Sequence, residues 1–166
     1  VGAVLANDVS MLGDSEMAGV VAGKGVPIIV SHIRSGGHSG DVVEDVIADL
    51  QSAIEQLTAA GVDRSLVIAD PGIGFAKNGG QSLMLLKNIA RLRAELNLPL
   101  LLGTSRKSFI GAITSESVDD RRFGTAATVA LSIQAGADIV RVHDVKEMVR
   151  VAKMSDAIVR SGANDA

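Results

Sequence analysis

Leu66-Val67-Ile68-Ala69-Asp70-Pro71-Gly72-Ile73-Gly74-Phe75-Ala76-Lys77 is an apolar run of strand length that closes on a carboxylate and a glycine-rich loop. Beyond the loop, residues 83–96 carry apolar side chains at helical spacing. The same order of strand, loop and helix recurs on both sides: apolar runs at 3–6, 27–31, 100–102 and 139–142 each precede a helical pattern. Such alternation predicts a parallel sheet. In a parallel α/β protein the loops after the strands' carboxyl ends open on one face, so residues distant in sequence meet in one cleft. Two more strand ends carry reactive groups: Gly103-Thr104-Ser105-Arg106-Lys107-Ser108-Phe109-Ile110-Gly111 and Arg141-Val142-His143-Asp144.

Helix patterns are expected over 14–24, 41–60, 83–96, 119–135 and 146–159. The clearest is 41–60, where Val42, Val43, Val46, Ile47, Leu50, Ile54 and Leu57 form one apolar stripe, with Asp41 placed to cap it and Gly61 to end it. Each strand–helix unit takes roughly 25–40 residues, the size of a βαβ repeat, without sequence repetition or a low-complexity linker. Residues 1–166 therefore read as one domain. Patterning alone leaves an open doubly wound sheet and an arc of a closed barrel equally possible.

Composition narrows the function. The 166 residues are 47% hydrophobic and 21% charged, as in ordinary globular proteins and unlike disordered ones. No apolar stretch approaches the ~20 residues of a membrane span, so no membrane partner is expected. The first residues lack the pattern of a secretory leader, and cysteine is absent, which removes disulfides and thiolate metal sites; a cytoplasmic setting is expected. A net charge of −3, with no Trp or Tyr and only three Phe, gives no reason to expect nucleic-acid binding. Against that acidic background Lys77, Arg106, Lys107, Arg141 and His143 gather at strand ends, where they would focus a positive field on a small anion.

These segments, in this order and with Asn7-Asp8-Val9-Ser10 near the start, resemble the second half of dihydropteroate synthases; Ser105-Arg106-Lys107-Ser108 is the most specific piece. The resemblance covers nearly the whole chain and implies a parallel (β/α)8 TIM-barrel fold, of which this chain would be about the last five β/α units: a single partial pterin-binding domain. It implies a transferase of folate biosynthesis that condenses 6-hydroxymethyl-7,8-dihydropterin pyrophosphate with p-aminobenzoate and releases pyrophosphate. Such chemistry needs a donor–acceptor match to a flat heterocycle, cations for the leaving group and a slot for the arylamine.

Carried over residue by residue, the resemblance implies that Asp70 and Lys107 are the catalytic pair. Asn7, Asp70, Gly103 and Lys107 would hold the pterin, Asp70 accepting from its adjacent ring N–H and amino group. Ser108, Phe75 and Arg106 would contact p-aminobenzoate. Arg141 and His143 alternate with Val140 and Val142, so by the period of two they share a face; in the family this Arg-x-His pair binds pyrophosphate. Each residue also has a plainer reading: Asp before Pro sets up turns, Asn-Asp caps helices, and Arg-Lys pairs are commonly solvated.

His32 matches a family histidine, but Ser31 and Ile33 stand where methionines are common, and Arg34-Ser35-Gly36-Gly37-His38-Ser39-Gly40 departs from the usual loop. Neither His32 nor His38 has metal-site spacing, so no protein metal ligand is expected; Mg2+ would ride on the pyrophosphate. The family is commonly dimeric through its outer helices, so a homodimer of the full-length protein is implied.

A barrel takes ~250 residues, and the chain starts at Val1 almost directly on a strand, so three strands are expected to lie outside it. A non-catalytic pterin-binding fragment or half-barrel remnant is therefore an alternative. A methyltetrahydrofolate-dependent methyltransferase-like protein is another, disfavoured because methyl transfer has no pyrophosphate to hold.

Overall fold

A computed structural model describes residues 2–38 and 40–160. The strands are β1 (Ala6–Asp8), β2 (Ile28–Ser31), β3 (Val67–Asp70), β4 (Leu101–Leu102) and β5 (Ile139–Val140). The helices are α1 (Met17–Lys24), α2 (Val42–Ala59), α3 (Gly79–Lys87), α4 (Ile89–Leu96), α5 (Ser108–Thr114), α6 (Arg122–Gln134) and α7 (Val145–Arg160). All strand pairs are parallel and in chain order: Ala6 faces Ile28, Ser31 faces Asp70, and Leu102 faces Val140. A single bridge between Ala69 and Leu100 joins β3 to β4. The result is a continuous five-strand arc with helices behind it.

β2 is buried along its whole length, as a central parallel strand covered on both faces must be. Behind it lies the apolar stripe of α2, where Val46, Leu50 and Leu57 are fully shielded. Asp41 caps α2 as expected, its Oδ1 accepting from Val43 N at 2.8 Å. Gly61, at φ +94°, closes it while Val62 N donates to Leu57 O at 3.0 Å, a Schellman-type ending that needs a left-handed residue. A second, smaller cluster of Val129, Ile133 and Met148 seals α6 to α7, with Val140 and Val142 packed against it.

The helix expected over 83–96 is two helices that start earlier, at Gly79. Asn88 breaks them: its side-chain Nδ2 donates to Met84 O at 2.8 Å, the local competition by which Asn interrupts a helix. The first strand lies at Ala6–Asp8 rather than 3–6, because its register is set by pairing with β2. The helix expected over 119–135 begins at Arg122, since Ser117 and Asp120 form a closed turn. α5 has no counterpart among the expected helices, because seven residues are too few to show a period. Among the described residues no helix is long and apolar enough to cross a membrane.

Candidate functional site

At the carboxyl ends of β3, β4 and β5, Phe75, Gly103, Ser105, Lys107, Arg141, Val142 and His143 line a hollow of about 190 Å³. β3 delivers Asp70 as its last residue, 1% exposed. Its carboxylate is well supplied with donors. Oδ1 accepts from Gly72 N at 2.8 Å; Oδ2 accepts from Ser31 Oγ at 3.0 Å and from Arg141 Nη2 at 2.8 Å. A carboxylate offers about four lone-pair positions, so one stays open while Arg141 is in place.

Arg141 reaches across from β5 and also donates to Asn7 Oδ1 at 3.2 Å. Its guanidinium thus joins two residues read from sequence as pterin contacts. Gly103 makes that reach possible, for a Cβ there would fall 2.9 Å from Arg141 Nη2. His143 stands beside it: its Nδ1 is 2.9 Å from Ser105 Oγ, and its backbone N donates to the same oxygen at 3.1 Å. Ser105, 5% exposed, therefore sets the ring's orientation. No pattern in the sequence singles it out, since it stands beside the more conspicuous Arg106-Lys107 pair.

Lys107 projects over the Phe75 ring, its Nζ 4.0 Å from the centroid, a cation–π geometry. Gly74 leaves room for the stem, since a Cβ there would come 3.0 Å from Lys107 Cδ. Burial pulls the Lys107 ammonium below the ordinary lysine value, while nearby Asp70 pulls it up and Arg141 lowers it again. The two remaining arylamine candidates are placed differently. Ser108 opens α5 and is exposed. Arg106 does not line the hollow: its Nη2 and Nε hold Asp144 at 2.7 and 3.1 Å, and its Nη1 reaches Asp119. That corrects the expectation that all five strand-end cations face one mouth. Lys77 is the other exception, directed at His32 just past β2.

His32, at the tip of β2, is fully buried. Its Nδ1 lies 2.9 Å from the Lys77 ammonium and its Nε2 2.9 Å from Asp49 Oδ2. An ammonium has only protons to give, so Nδ1 accepts and Nε2 carries the hydrogen. Desolvation, reinforced by Lys77, lowers the His32 pKa to about 4. Asp49 is held in turn by Arg34 at 2.8 Å through both Nε and Nη2, and this bonding keeps its carboxyl below the usual range. Arg34 also pairs with Asp45 at 2.9 Å, Asp45 pairs with His38, and the His38 ring stacks on His32 at 5.5 Å. The atypical loop after β2 is thus a polar buttress behind the site.

The histidine gives a pH prediction with a definite sign. The unfolded chain protonates this imidazole near its ordinary pKa of about 6.5, the folded chain only near 4. Its stabilising contribution is complete above about pH 6.5 and is lost as the pH falls through 4, a change of about 3 kcal/mol. Urea unfolding at pH 7.5 and pH 4.5 checks this; the loss should be smaller in His32→Gln.

Among the described residues no three His, Asp or Glu side chains converge on a metal position. The hollow's cations and neutral donors suit anionic oxygens instead, so the residues present do not fit a metal ion of their own.

The family profile described as "Pterin binding enzyme" matches residues 1–143. The chain is 43% identical over 162 residues to the dihydropteroate synthase of Bacillus subtilis (strain 168), covering 97% of this chain and 56% of that protein. It is 44% identical to that of Clostridium beijerinckii, covering 96% and 60%. The fold matches a dihydropteroate synthase from Clostridium difficile, solved in the presence of pteroic acid, with a TM-score of 0.92 and 37% identity over 96% of this chain and 61% of that one. One from Xanthomonas albilineans with 4-aminobenzoic acid matches with a TM-score of 0.91 and 35% identity, over 97% and 59%. The chain therefore spans between half and two thirds of these proteins, and the five-strand arc is part of a (β/α)8 barrel.

Proposed function

Because the chain belongs to the pterin binding enzyme family, we propose that it forms the pterin, arylamine and pyrophosphate contacts of a dihydropteroate synthase of folate biosynthesis. The observation that carries this is the junction of Asp70, Arg141 and Asn7 directly beside a hollow lined by Lys107, Ser105 and His143. A guanidinium already bridges Asp70 and Asn7. The pterin's ring N–H and amino group present donors in a comparable fork, so on binding they take the guanidinium's place, and Arg141 turns to the pyrophosphate beside His143.

With the substrate so held, the methylene C–O bond breaks with its electron pair leaving on the pyrophosphate, whose charge Arg141 and His143 stabilise by charge-assisted hydrogen bonds. The arylamine nitrogen forms the new C–N bond and then loses a proton. Lys107, over Phe75, offsets charge that develops between the pterin and the leaving group. Ser108 and Arg106 remain proposed arylamine contacts; for Arg106 this requires release of Asp144 or Asp119. We assign Mg2+ to the substrate's pyrophosphate oxygens, outside the protein's own donor set. Homodimerisation is proposed through the outer helices, supported by the exposed apolar side chains Leu131 on α6 and Met154 and Ile158 on α7. The proposed compartment is the cytoplasm, and neither nucleic acid nor a membrane is a proposed partner.

Dihydropteroate formation from the pterin pyrophosphate and p-aminobenzoate, with Mg2+, tests the reading. Lys107→Ala should lower turnover about 100-fold, the scale of a lost electrostatic stabiliser. Equal turnover in variant and wild type, or none in a wild type expressed from its complete reading frame, would overturn it. Because the chain spans only 56–60% of its relatives, pterin binding without catalysis by these residues alone is the second reading. It predicts pterin affinity and no product from the isolated 166 residues, with product restored when they are expressed within their complete reading frame.

A further inference from the structure

The loop that brings Phe75 to the hollow has an unusual backbone: Gly72, Gly74 and Ala76 lie at φ +66°, +75° and +48°. The turn closes through Phe75 N, which donates to Gly72 O at 2.9 Å, and the second lone pair of that carbonyl, like the neighbouring Phe75 carbonyl, is open to a further donor. One cation supplies it. The Lys77 ammonium lies 3.1 Å from Gly72 O and 3.2 Å from Phe75 O, with His32 O at 3.4 Å and His32 Nδ1 at 2.9 Å. Lys77 is anchored at its other end by its neighbour Asn78, which caps α3 in a reciprocal box with Gln81.

The seat beneath the ammonium is equally determined. His32 is buried, its Nε2 committed to Asp49, and Asp49 is clamped by Arg34. The imidazole cannot turn without breaking that bond, so Nδ1 stays aimed at Lys77. The groups facing Lys77 are His32, Asp70, Asp49, Lys107 and Arg34; burial outweighs the two carboxylates and brings its pKa to about 8. It is therefore charged at neutral pH and able to donate three hydrogen bonds.

We propose that Lys77 is a positioning residue for the arylamine side of the site: seated on His32, it gathers the Gly72 and Phe75 carbonyls and so holds the Phe75 ring beneath the Lys107 ammonium. Lys77 touches no substrate in this assignment, which rests on the synthase reading for its kinetic consequence and on geometry alone for its structural one. The atypical Arg34–His38 loop acquires a purpose, keeping Asp49 and thus His32 in register.

The test uses the protein expressed from its complete reading frame and compares Lys77→Met with Lys77→Arg. Lys77→Met should raise KM for p-aminobenzoate about tenfold, the effect of one lost charge-assisted contact. kcat and the Kd for pterin pyrophosphate should each change less than about twofold, since Asp70 and Arg141 are untouched. Lys77→Arg should recover most of the KM. Amide exchange at Gly72 and Phe75 should quicken about tenfold in Lys77→Met while Ile29 and Val30 in β2 stay protected. Unchanged exchange at Gly72 and Phe75 overturns the proposal, as does a KM at the wild-type value or an equal loss of pterin affinity. A wild type that forms no dihydropteroate refutes the synthase reading; the exchange comparison then still decides whether Lys77 holds the loop.

Discussion

Arg141→Met is expected to lower turnover about 1,000-fold and to reverse the protein's preference between two forms of the pterin. The guanidinium is the group best placed to take the leaving pyrophosphate, and loss of one such donor alone costs about 100–1,000-fold in comparable sites. The second effect follows from what Arg141 does before substrate arrives. It occupies Asp70 Oδ2 at 2.8 Å and Asn7 Oδ1 at 3.2 Å, the acceptors proposed for the pterin edge. Removing it frees Asn7 Oδ1 and one position on Asp70 Oδ2, where the Ser31 hydroxyl stays at 3.0 Å. Calorimetry should show affinity for the pterin pyrophosphate falling about tenfold or more, as a charge-assisted contact is lost. Affinity for the hydroxymethyl pterin without pyrophosphate should hold or rise. If both ligands weaken together, Arg141 serves to support Asp70 and does not compete with the pterin.

Gly72→Ala should destabilise the fold by at least about 3 kcal/mol, the combined scale of a left-handed non-glycine residue and a forced backbone shift. Its φ is +66°, and a Cβ would overlap the His32 carbonyl oxygen. That oxygen belongs to His32, which follows directly on β2 and is itself fully buried, so it cannot withdraw cheaply. Nor can Gly72 move away, because its N–H holds Asp70 Oδ1 at 2.8 Å and the next residue inward, Ile73, is buried. The strain therefore falls on the contact between β2 and the Asp70 loop, where His32 N donates to Asp70 O at 2.8 Å. Equilibrium denaturation measures the loss. A change below about 1 kcal/mol, the ordinary effect of a surface substitution or less, would mean the two backbones separate more readily than their hydrogen bonds indicate.

The strands were legible because a parallel strand covered on both faces must be continuously apolar, as Ile28-Ile29-Val30 and Leu100-Leu101-Leu102 are. Asp70, Lys107, Arg141 and His143 could be picked out for a related reason: each is polar just where such a run stops. Residues 41–60 were readable as a helix because the apolar stripe, the Asp41 cap and Gly61 all agree. The break at Asn88 was not, since it depends on which of two local hydrogen bonds the side chain makes.

Partner choice among charges was beyond any pattern in the chain. Arg106 and Lys107 are adjacent, yet one is bound by Asp144, 38 residues away, and the other lies over Phe75. Lys77 looks like a third cation of the site until folding places His32 Nδ1 and three carbonyls around it. Local order along the chain is set by side-chain periodicity and turn chemistry, which are written in neighbouring residues. Which acceptor a long, flexible cation finds is set by distances between strands, and those exist only once the sheet has brought β2, β3, β4 and β5 together.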